Sequence, residues 1–91
     1  MMTRFDIHIN TVPDCRKYCE LLDSFSFDGY LLIGARVVSL YDIESIIEFC
    51  HIKPMHLFVV CHDSGTLKLI EAFLLESGIL IQNAALTKNA R

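Results

Sequence analysis

The 91-residue sequence has little of the positive charge on which nucleic-acid binding depends. It holds eight Lys and Arg residues against eleven Asp and Glu residues, for a formal net charge of −3. The longest basic cluster is the pair Arg16-Lys17, so the electrostatic footprint of a nucleic-acid binder is missing. No apolar run approaches the length of a membrane span. We therefore predict a protein with neither nucleic-acid nor membrane partners.

Signals for export and for metal binding are missing as well. The first residues enter an alternating pattern without the apolar core of a signal peptide, so we expect a cytoplasmic protein. Four cysteines occur, none in a C-x-x-C pair, and in a reducing compartment we expect buried thiols: Cys15, Cys19, Cys50 and Cys61. The pairs Cys50-His51 and Cys61-His62 fit structural zinc sites poorly, because adjacent residues point in different directions. We predict no metal and no cofactor.

Apolar residues, in contrast, are abundant for so short a chain. They make up 53% of the sequence, and the mean hydropathy is +0.42. A domain of this size has much surface and little interior in which to bury apolar side chains. We therefore expect part of its apolar surface to be covered by a second chain.

Hydrophobic periodicity predicts an alternation of strands and helices. Period-two patterns predict strands over residues 4–10, 30–33, 36–38 and 55–62, with Gly34-Ala35 as a two-residue hairpin turn. Helical spacing predicts three helices, which begin near Pro13-Asp14, at a capping box Ser39-x-x-Asp42, and at Thr66. The resulting order β-α-β-β-α-β-α predicts an α+β protein with helices on one face of a four-stranded, mainly antiparallel sheet. This order also contains the ferredoxin-like βαββαβ pattern, so pattern alone leaves both folds open.

One stretch leads into the second predicted helix and reads Gly34-Ala35-Arg36-Val37-Val38-Ser39-Leu40-Tyr41-Asp42-Ile43. It resembles the Gly-Lys-x-Val-x-x-Lys-Ser-Ile segment of the HPr family, the phosphocarriers of the bacterial sugar phosphotransferase system. The spacing of helix, loop and strand through Cys61, and the length of the last helix, also fit that family. The resemblance lies in lengths and apolar positions over nearly the whole chain and is weak in exact identities. It implies an HPr-like open-faced sandwich over residues 1–81, followed by a C-terminal tail over residues 82–91 that could be flexible.

The resemblance does not extend to the phosphoacceptor. In the family, a Gly-(Leu/Ile)-His-Ala-Arg-Pro segment places a histidine at the N-terminus of the first helix, where the helix and an arginine stabilise a phosphoryl anion. Here the connection reads Asn10-Thr11-Val12-Pro13-Asp14. It contains no histidine, and Asp14 brings a negative charge to the place where the phosphate would lie. Arg16 lies near the position of the family's arginine, but we favour its interpretation as a solvated first-turn side chain, because single exposed charges usually carry no function.

The family's second site is a serine at the start of the second helix, which some bacteria phosphorylate as a regulatory mark. The match puts Asp42 there, and its carboxylate either mimics part of the phosphoserine charge or simply favours the helix dipole. We favour the dipole interpretation, because acidic residues in a first turn are common. Partners of the family dock on apolar side chains of the first two helices, which implies docking at Ile43 and Ile47, with Glu44 in place of an apolar residue.

The outer face of the predicted sheet has a composition that indicates an interface. In the strand order of HPr the first and last strands are neighbours, which would put His8 beside His56 and His62; neither these nor His51 is predicted at a helix N-terminus. The same face is predicted to carry an apolar patch of the kind that marks interfaces, formed by Tyr30, Leu32, Phe58 and Val60. We predict that either a second copy of the chain or its C-terminal segment covers this patch, through Ile79, Leu80, Ile81 and Leu86.

Three functions follow from these patterns. The favoured one is a non-catalytic, HPr-like interaction or regulatory module without enzyme activity, whose protein partner is unknown. The first alternative is a phosphotransfer or catalytic protein with a relocated group, such as His8, His51 or Cys15. The second alternative is a ferredoxin-like ligand-binding sensor. No Ser-His-Asp set, glycine-rich phosphate loop or paired-carboxylate motif is visible, which favours the interaction module.

Overall fold

The computed structural model describes residues 2–49 and 55–81. These residues form, in chain order, β1 (Met2–Ile7), α1 (Val12–Ser24), β2 (Asp28–Ile33), β3 (Arg36–Val38), α2 (Ile43–Phe49), β4 (Met55–Val60) and α3 (Ser64–Ser77). The predicted α+β order β-α-β-β-α-β-α is therefore confirmed. Within the two described ranges, no helix is long and apolar enough to cross a membrane.

The four strands form one antiparallel sheet in the order β1-β4-β2-β3. The first and last strands are neighbours, as predicted, because β4 lies between β1 and β2. Leu57 in β4 pairs with Phe5 on one side and with Leu31 on the other. A ferredoxin-like sheet has its first strand inside the sheet, whereas β1 here lies at the edge. The ferredoxin-like alternative is therefore wrong for this chain.

Alternation along the strands produces an inner face, which is the side of the sheet that the helices cover. Its apolar side chains are all buried: Phe5, Ile7, Leu31, Ile33, Val38, Met55, Leu57 and Val59. The helices contribute further buried residues to the same core, namely Tyr18, Leu21, Ile46, Ile70 and Leu74. One hydrophobic core thus fills the space between the sheet and its three helices, as an open-faced sandwich requires.

Two glycines lie where the sequence predicts the end of a strand and the end of a helix. Gly34 has a φ of +64° and opens the two-residue turn between β2 and β3, a conformation that costs glycine little. Gly78 has a φ of +81° and caps the C-terminus of α3. Both turns confirm the sequence interpretation, and Gly78 directs the chain from α3 back toward the sheet.

The ends of other elements differ from the predictions. β1 ends at Ile7, three residues before the predicted end, and β4 ends at Val60, before His62. Asp63, rather than Thr66, caps α3, and its carboxylate accepts the N–H of Gly65 at 3.0 Å and the hydroxyl of Thr66 at 2.7 Å. These hydrogen bonds, that of Thr66 first, hold the pKa of Asp63 below its ordinary value. Asp63 lies one turn earlier than Thr66, and its carboxylate reaches a free N–H group in the first turn of the helix.

Tyr18 anchors α1 to the rest of the fold. Its ring is fully buried, and its hydroxyl donates a hydrogen bond of 2.7 Å to the carbonyl of Leu40. Burial raises the pKa of the phenol, so the group stays protonated and acts as a donor. The bond holds α1 against the connection that leads into α2, and it thereby links the two helices whose N-termini the sequence singled out.

Candidate functional site

The first candidate region is the start of α1. Thr11 is the N-cap, and its Oγ1 accepts a hydrogen bond of 3.2 Å from the N–H of Asp14. Asp14 in turn accepts the N–H of Asn10 at 3.0 Å, which gives a reciprocal arrangement akin to a capping box. Pro13 is tolerated in this first turn, because its missing N–H has no helical partner to lose. Side chains of Thr11 and Asp14 therefore accept backbone N–H groups at the start of α1.

This arrangement places a carboxylate where an anion would otherwise bind. The positive end of a helix dipole lies at its first turn, and here Asp14 occupies that turn. A phosphoryl group that approached the same N–H groups would meet the charge of Asp14 at short range. Arg16, the predicted neighbour of the site, is exposed.

His8 lies closer to this region than predicted. Since β1 ends at Ile7, the ring of His8 reaches the start of α1, where Nδ1 lies 3.2 Å from the side-chain nitrogen of Asn10 and 3.7 Å from Oδ2 of Asp14. The prediction that no histidine lies near a helix N-terminus is wrong for His8. The short connection of strand to helix was the signal that could have shown it.

The other histidines do not share one surface. His56 lies on the side of the sheet away from the helices, with Nδ1 2.7 Å from Oδ1 of Asp6. The same oxygen lies 3.2 Å from Nε of Arg4, so Asp6 links the two side chains. His62 lies in the connection after β4 and is exposed, which corrects its predicted place within the strand. His51 lies outside the described residues.

The second candidate region is the start of α2. Asp42 directly precedes the helix, and its two oxygens accept the N–H of Ser45 at 3.2 Å and the hydroxyl of Ser45 at 2.9 Å. Asp42 is thus the N-cap of α2, whereas the predicted cap, Ser39, accepts the N–H of Tyr41 at 3.2 Å. Both oxygens of Asp42 have a partner in the helix, so helix capping is a sufficient reason for an aspartate at this position.

The predicted docking residues of α2 differ in exposure. Ile43 packs partly against the core, whereas Ile47, one turn later, is 57% exposed. Tyr41, just before the helix, is 66% exposed, and Glu44 is exposed as well. This surface therefore mixes apolar groups with a carboxylate.

The third candidate region is the outer face, which we define as the side of the sheet away from the helices. Its residues form three rows across the strands: Met2, Val60 and Asp28; then Arg4, Phe58 and Tyr30; then Asp6, His56, Leu32 and Val37. The four predicted patch residues, Tyr30, Leu32, Phe58 and Val60, all point to this face, as predicted. Val37 is 67% exposed and Met2 is 52% exposed, so both enlarge the apolar surface.

Aromatic geometry gives the outer face a particular character. The rings of Tyr30 and Phe58 stack on each other, with centroids 4.9 Å apart and an interplanar angle of 18°. Each ring therefore turns one π-face toward the other, as an offset-stacked aromatic pair does. The cation in these rows, Arg4, lies 3.2 Å from Asp6.

The C-terminal segment, one of the two predicted covers of the outer face, does not lie on that face over residues 79–81. Ile79 is fully buried and joins the core, while Leu80 bridges to Ile7 at the edge of β1. Ile81 follows at the same edge and is 42% exposed. Residues 79–81 thus lie beside β1 and not across the outer face, and Leu86 lies outside the described residues.

The thiols have surroundings that suit packing more than chemistry. Cys15 and Cys19 lie one turn apart on α1 and are half-buried. Burial, followed by the neighbouring Cys15, raises the pKa of Cys19, which makes this thiol a poor nucleophile at neutral pH. Among residues 2–49 and 55–81, no three His, Cys, Asp or Glu side chains come together as a metal site. Cys50 belongs to the part of the chain that is not described.

An open cavity of about 480 Å³ lies beside the β2–β3 hairpin, lined by Ile33, Gly34, Ala35, Arg36 and Phe49. The guanidinium carbon of Arg36 lies 4.7 Å from the ring centroid of Phe49. The charge of Arg36 thus makes a cation–π contact with this ring. The described residues of the lining include neither an acid–base pair nor a nucleophile.

Comparison with known proteins adds no relative: no family model matches the sequence, and no curated protein matches it either.

Proposed function

We propose that this chain is an HPr-like, non-catalytic module for protein interaction or regulation in a bacterial cytoplasm, and that it is not a phosphocarrier. The observation that carries the proposal is the carboxylate of Asp14 in the first turn of α1, bound to the N–H of Asn10 at 3.0 Å. The strand order β1-β4-β2-β3, with helices on one face, supports the resemblance on which the proposal rests.

The physical reason is the competition between two anions for one helix start. A phosphocarrier needs the free N–H groups and the dipole of its first helix to hold a phosphoryl group. Here Thr11 accepts the N–H of Asp14, and the carboxylate of Asp14 already complements the dipole. A second anion at this position would be repelled instead of stabilised.

One observation favours the alternative of a relocated phosphoacceptor. The ring of His8 lies at the start of α1, within 3.7 Å of Asp14, and a carboxylate can orient a histidine for proton or phosphoryl transfer. The same carboxylate would repel the phosphoryl group that His8 accepted. We therefore rank the interaction module first and treat phosphotransfer through His8 as the alternative outcome of the test.

The test is incubation of the purified chain with phosphoenolpyruvate and the general phosphotransferase enzyme, followed by intact mass measurement. An authentic HPr in the same reaction is the positive control. We expect no added phosphoryl group on this chain while the control is fully modified. A stoichiometric, acid-labile phosphate would overturn the proposal, and its loss in a His8→Ala variant would assign it to that residue.

The interaction surface in this proposal is the outer face, and the partner is a second copy of the chain. Tyr30, Leu32, Phe58 and Val60 lie together there, and contiguous apolar patches of this kind are seldom left free. We expect a concentration-dependent dimer in sedimentation equilibrium at micromolar concentrations.

A matched pair of substitutions locates the interface. Leu32→Lys puts a charge into the outer face and should leave only monomer, whereas Tyr41→Lys changes an exposed apolar residue elsewhere and should leave the dimer intact. A strictly monomeric wild type would contradict self-association and would direct the search to a different protein partner.

A further inference from the structure

Asp6 and His56 form a close contact within the outer face. β4 lies between β1 and β2, so His56 pairs with Asp6 on one side and with Leu32 on the other. Its Nδ1 lies 2.7 Å from Oδ1 of Asp6, and the same oxygen lies 3.2 Å from Nε of Arg4. The imidazole ring therefore lies between an ion pair and an apolar side chain.

The charge of this cluster depends on the protonation state of His56. Histidine side chains change charge between about pH 5 and pH 8, whereas arginine and ordinary carboxylates stay charged over that range. With a neutral imidazole, the charges of Arg4 and Asp6 cancel. With an imidazolium, two cations share the single carboxylate, and the cluster carries a net positive charge.

No other charged side chain of the outer face balances the imidazolium in the part of the chain that the structure describes. The row that holds His56 continues with Leu32 and Val37, and Tyr30 lies in the next row, stacked on a second ring. Asp28 lies two rows away, on the same strand as Leu32. At about 3.4 Å per residue in a strand, this separation is about 14 Å, which exceeds the Debye length of about 10 Å at 0.1 M salt.

A second copy of the chain suits the face when His56 is neutral. The outer face then holds one cation and two carboxylates, of which Arg4 and Asp6 are paired with each other, whereas the whole chain has a formal net charge of −3. Asp28 is exposed at the first residue of β2, where it can keep its water at the rim of an interface. Two copies therefore bring little net charge together at this face.

We propose that pH controls self-association through the outer face: the dimer holds His56 neutral, and protonation of His56 favours the monomer. This inference rests on the proposed function, in which a second copy covers the outer face. In the monomer the side chains of His56 and Asp6 are 27% and 34% exposed, so water helps to solvate the imidazolium. A second copy would remove this water, and an unbalanced buried charge is costly.

Proton linkage gives the direction of the effect. The monomer solvates the imidazolium better than the dimer does, so the monomer takes up the proton more readily. Acidification therefore favours the monomer, and a rise in pH favours the dimer. The change falls between about pH 8 and pH 5, where histidine titrates, and it acts at two sites in each dimer because both copies carry the same residue.

The test is sedimentation equilibrium of the full chain at about pH 8 and about pH 5.5, at constant ionic strength. We expect the dissociation constant of the dimer to be about tenfold higher, or more, at the lower pH. His56→Gln keeps an N–H group for Asp6 but does not titrate, so its dissociation constant should be nearly the same at both pH values. His62→Gln is the matched control, because His62 is exposed outside the strand, and this variant should keep the pH dependence.

A second measurement needs no substitution. NMR of the His56 ring at about pH 6.5 should show a larger protonated fraction in a dilute, monomeric sample than in a concentrated, dimeric one. Equal protonation in the two samples, or a dimer with one dissociation constant at both pH values, would overturn the pH control alone. A chain that stays monomeric at both pH values would overturn the outer-face dimer of the proposed function and this inference with it.

Discussion

The inner and outer faces of the sheet are built from the same strands and are stabilised in different ways. On β4, Leu57 is fully buried beneath the helices, whereas its neighbour Phe58 is half-buried and stacks on Tyr30. The inner face is uniformly apolar, while the outer face sets apolar side chains beside the linked pair Asp6 and His56. Packing beneath the helices therefore stabilises the inner face, whereas pairs of side chains across neighbouring strands stabilise the outer face.

The largest expected difference in stability is between alanine substitutions at two adjacent residues of β4 that lie on opposite faces of the sheet. Leu57→Ala should lower the free energy of unfolding by about 2–5 kcal/mol, because it leaves a cavity in the core. Phe58→Ala should cost about 1 kcal/mol, since it removes an aromatic pair from a partly solvated surface. Urea unfolding of the two variants at one low protein concentration measures both effects.

A higher protein concentration makes this comparison sharper. If a second copy covers the outer face, the cost of Phe58→Ala should grow with concentration, because dimerisation then contributes to stability. The cost of Leu57→Ala should change much less. Equal costs for the two variants at low concentration would show that the outer face is already covered within one chain.

The second prediction compares one polar contact on each side of the sheet. Tyr18→Phe should cost about 1–2 kcal/mol, because it leaves the buried carbonyl of Leu40 without its donor. His56→Ala removes a contact to Asp6 in which both side chains are about a third exposed, so it should cost less than about 1 kcal/mol. Thermal unfolding under identical conditions ranks the two variants, and a larger cost for His56→Ala would contradict the comparison.

The smallest expected effect on stability concerns Asp63, which lies after β4 and caps α3. Its pKa is lowered in the folded protein by Thr66 and Gly65, so its stabilisation is complete above its ordinary pKa and is lost as pH falls through the folded value. Asp63→Asn keeps a capping oxygen and removes the titration. Urea midpoints should therefore fall less steeply with acidification in the variant than in the wild type, and identical slopes would rule out this contribution.

Sequence patterns captured the elements that depend on local periodicity. The hairpin at Gly34, the strand over residues 36–38 and the stop at Gly78 lie where the sequence put them. The caps at Asp42 and Asp63 were misplaced, because several Ser, Thr and Asp residues near each helix start compete for the same N–H groups. Which of them succeeds depends on where the strand before the helix ends.

The outer face could be predicted from the sequence, whereas the contact at the start of α1 could not. Alternation sufficed to place Tyr30 and Phe58 on the outer face, because side chains in a strand have a fixed period of two. It did not show that His8 meets Asp14 at the start of α1, since that contact depends on the end of β1 at Ile7. A contact between residues of two elements can be predicted only when the exact bounds of both elements are known.

The sequence by itself determined the α+β class, the order of the elements and the composition of the two faces, because these follow from local turn chemistry and hydrophobic periodicity. Only the tertiary structure decided that β1 is an edge strand beside β4 and that residues 79–81 run along it. Strand order and edge pairing depend on hydrogen bonds between distant segments, and many pairings are compatible with one alternating pattern.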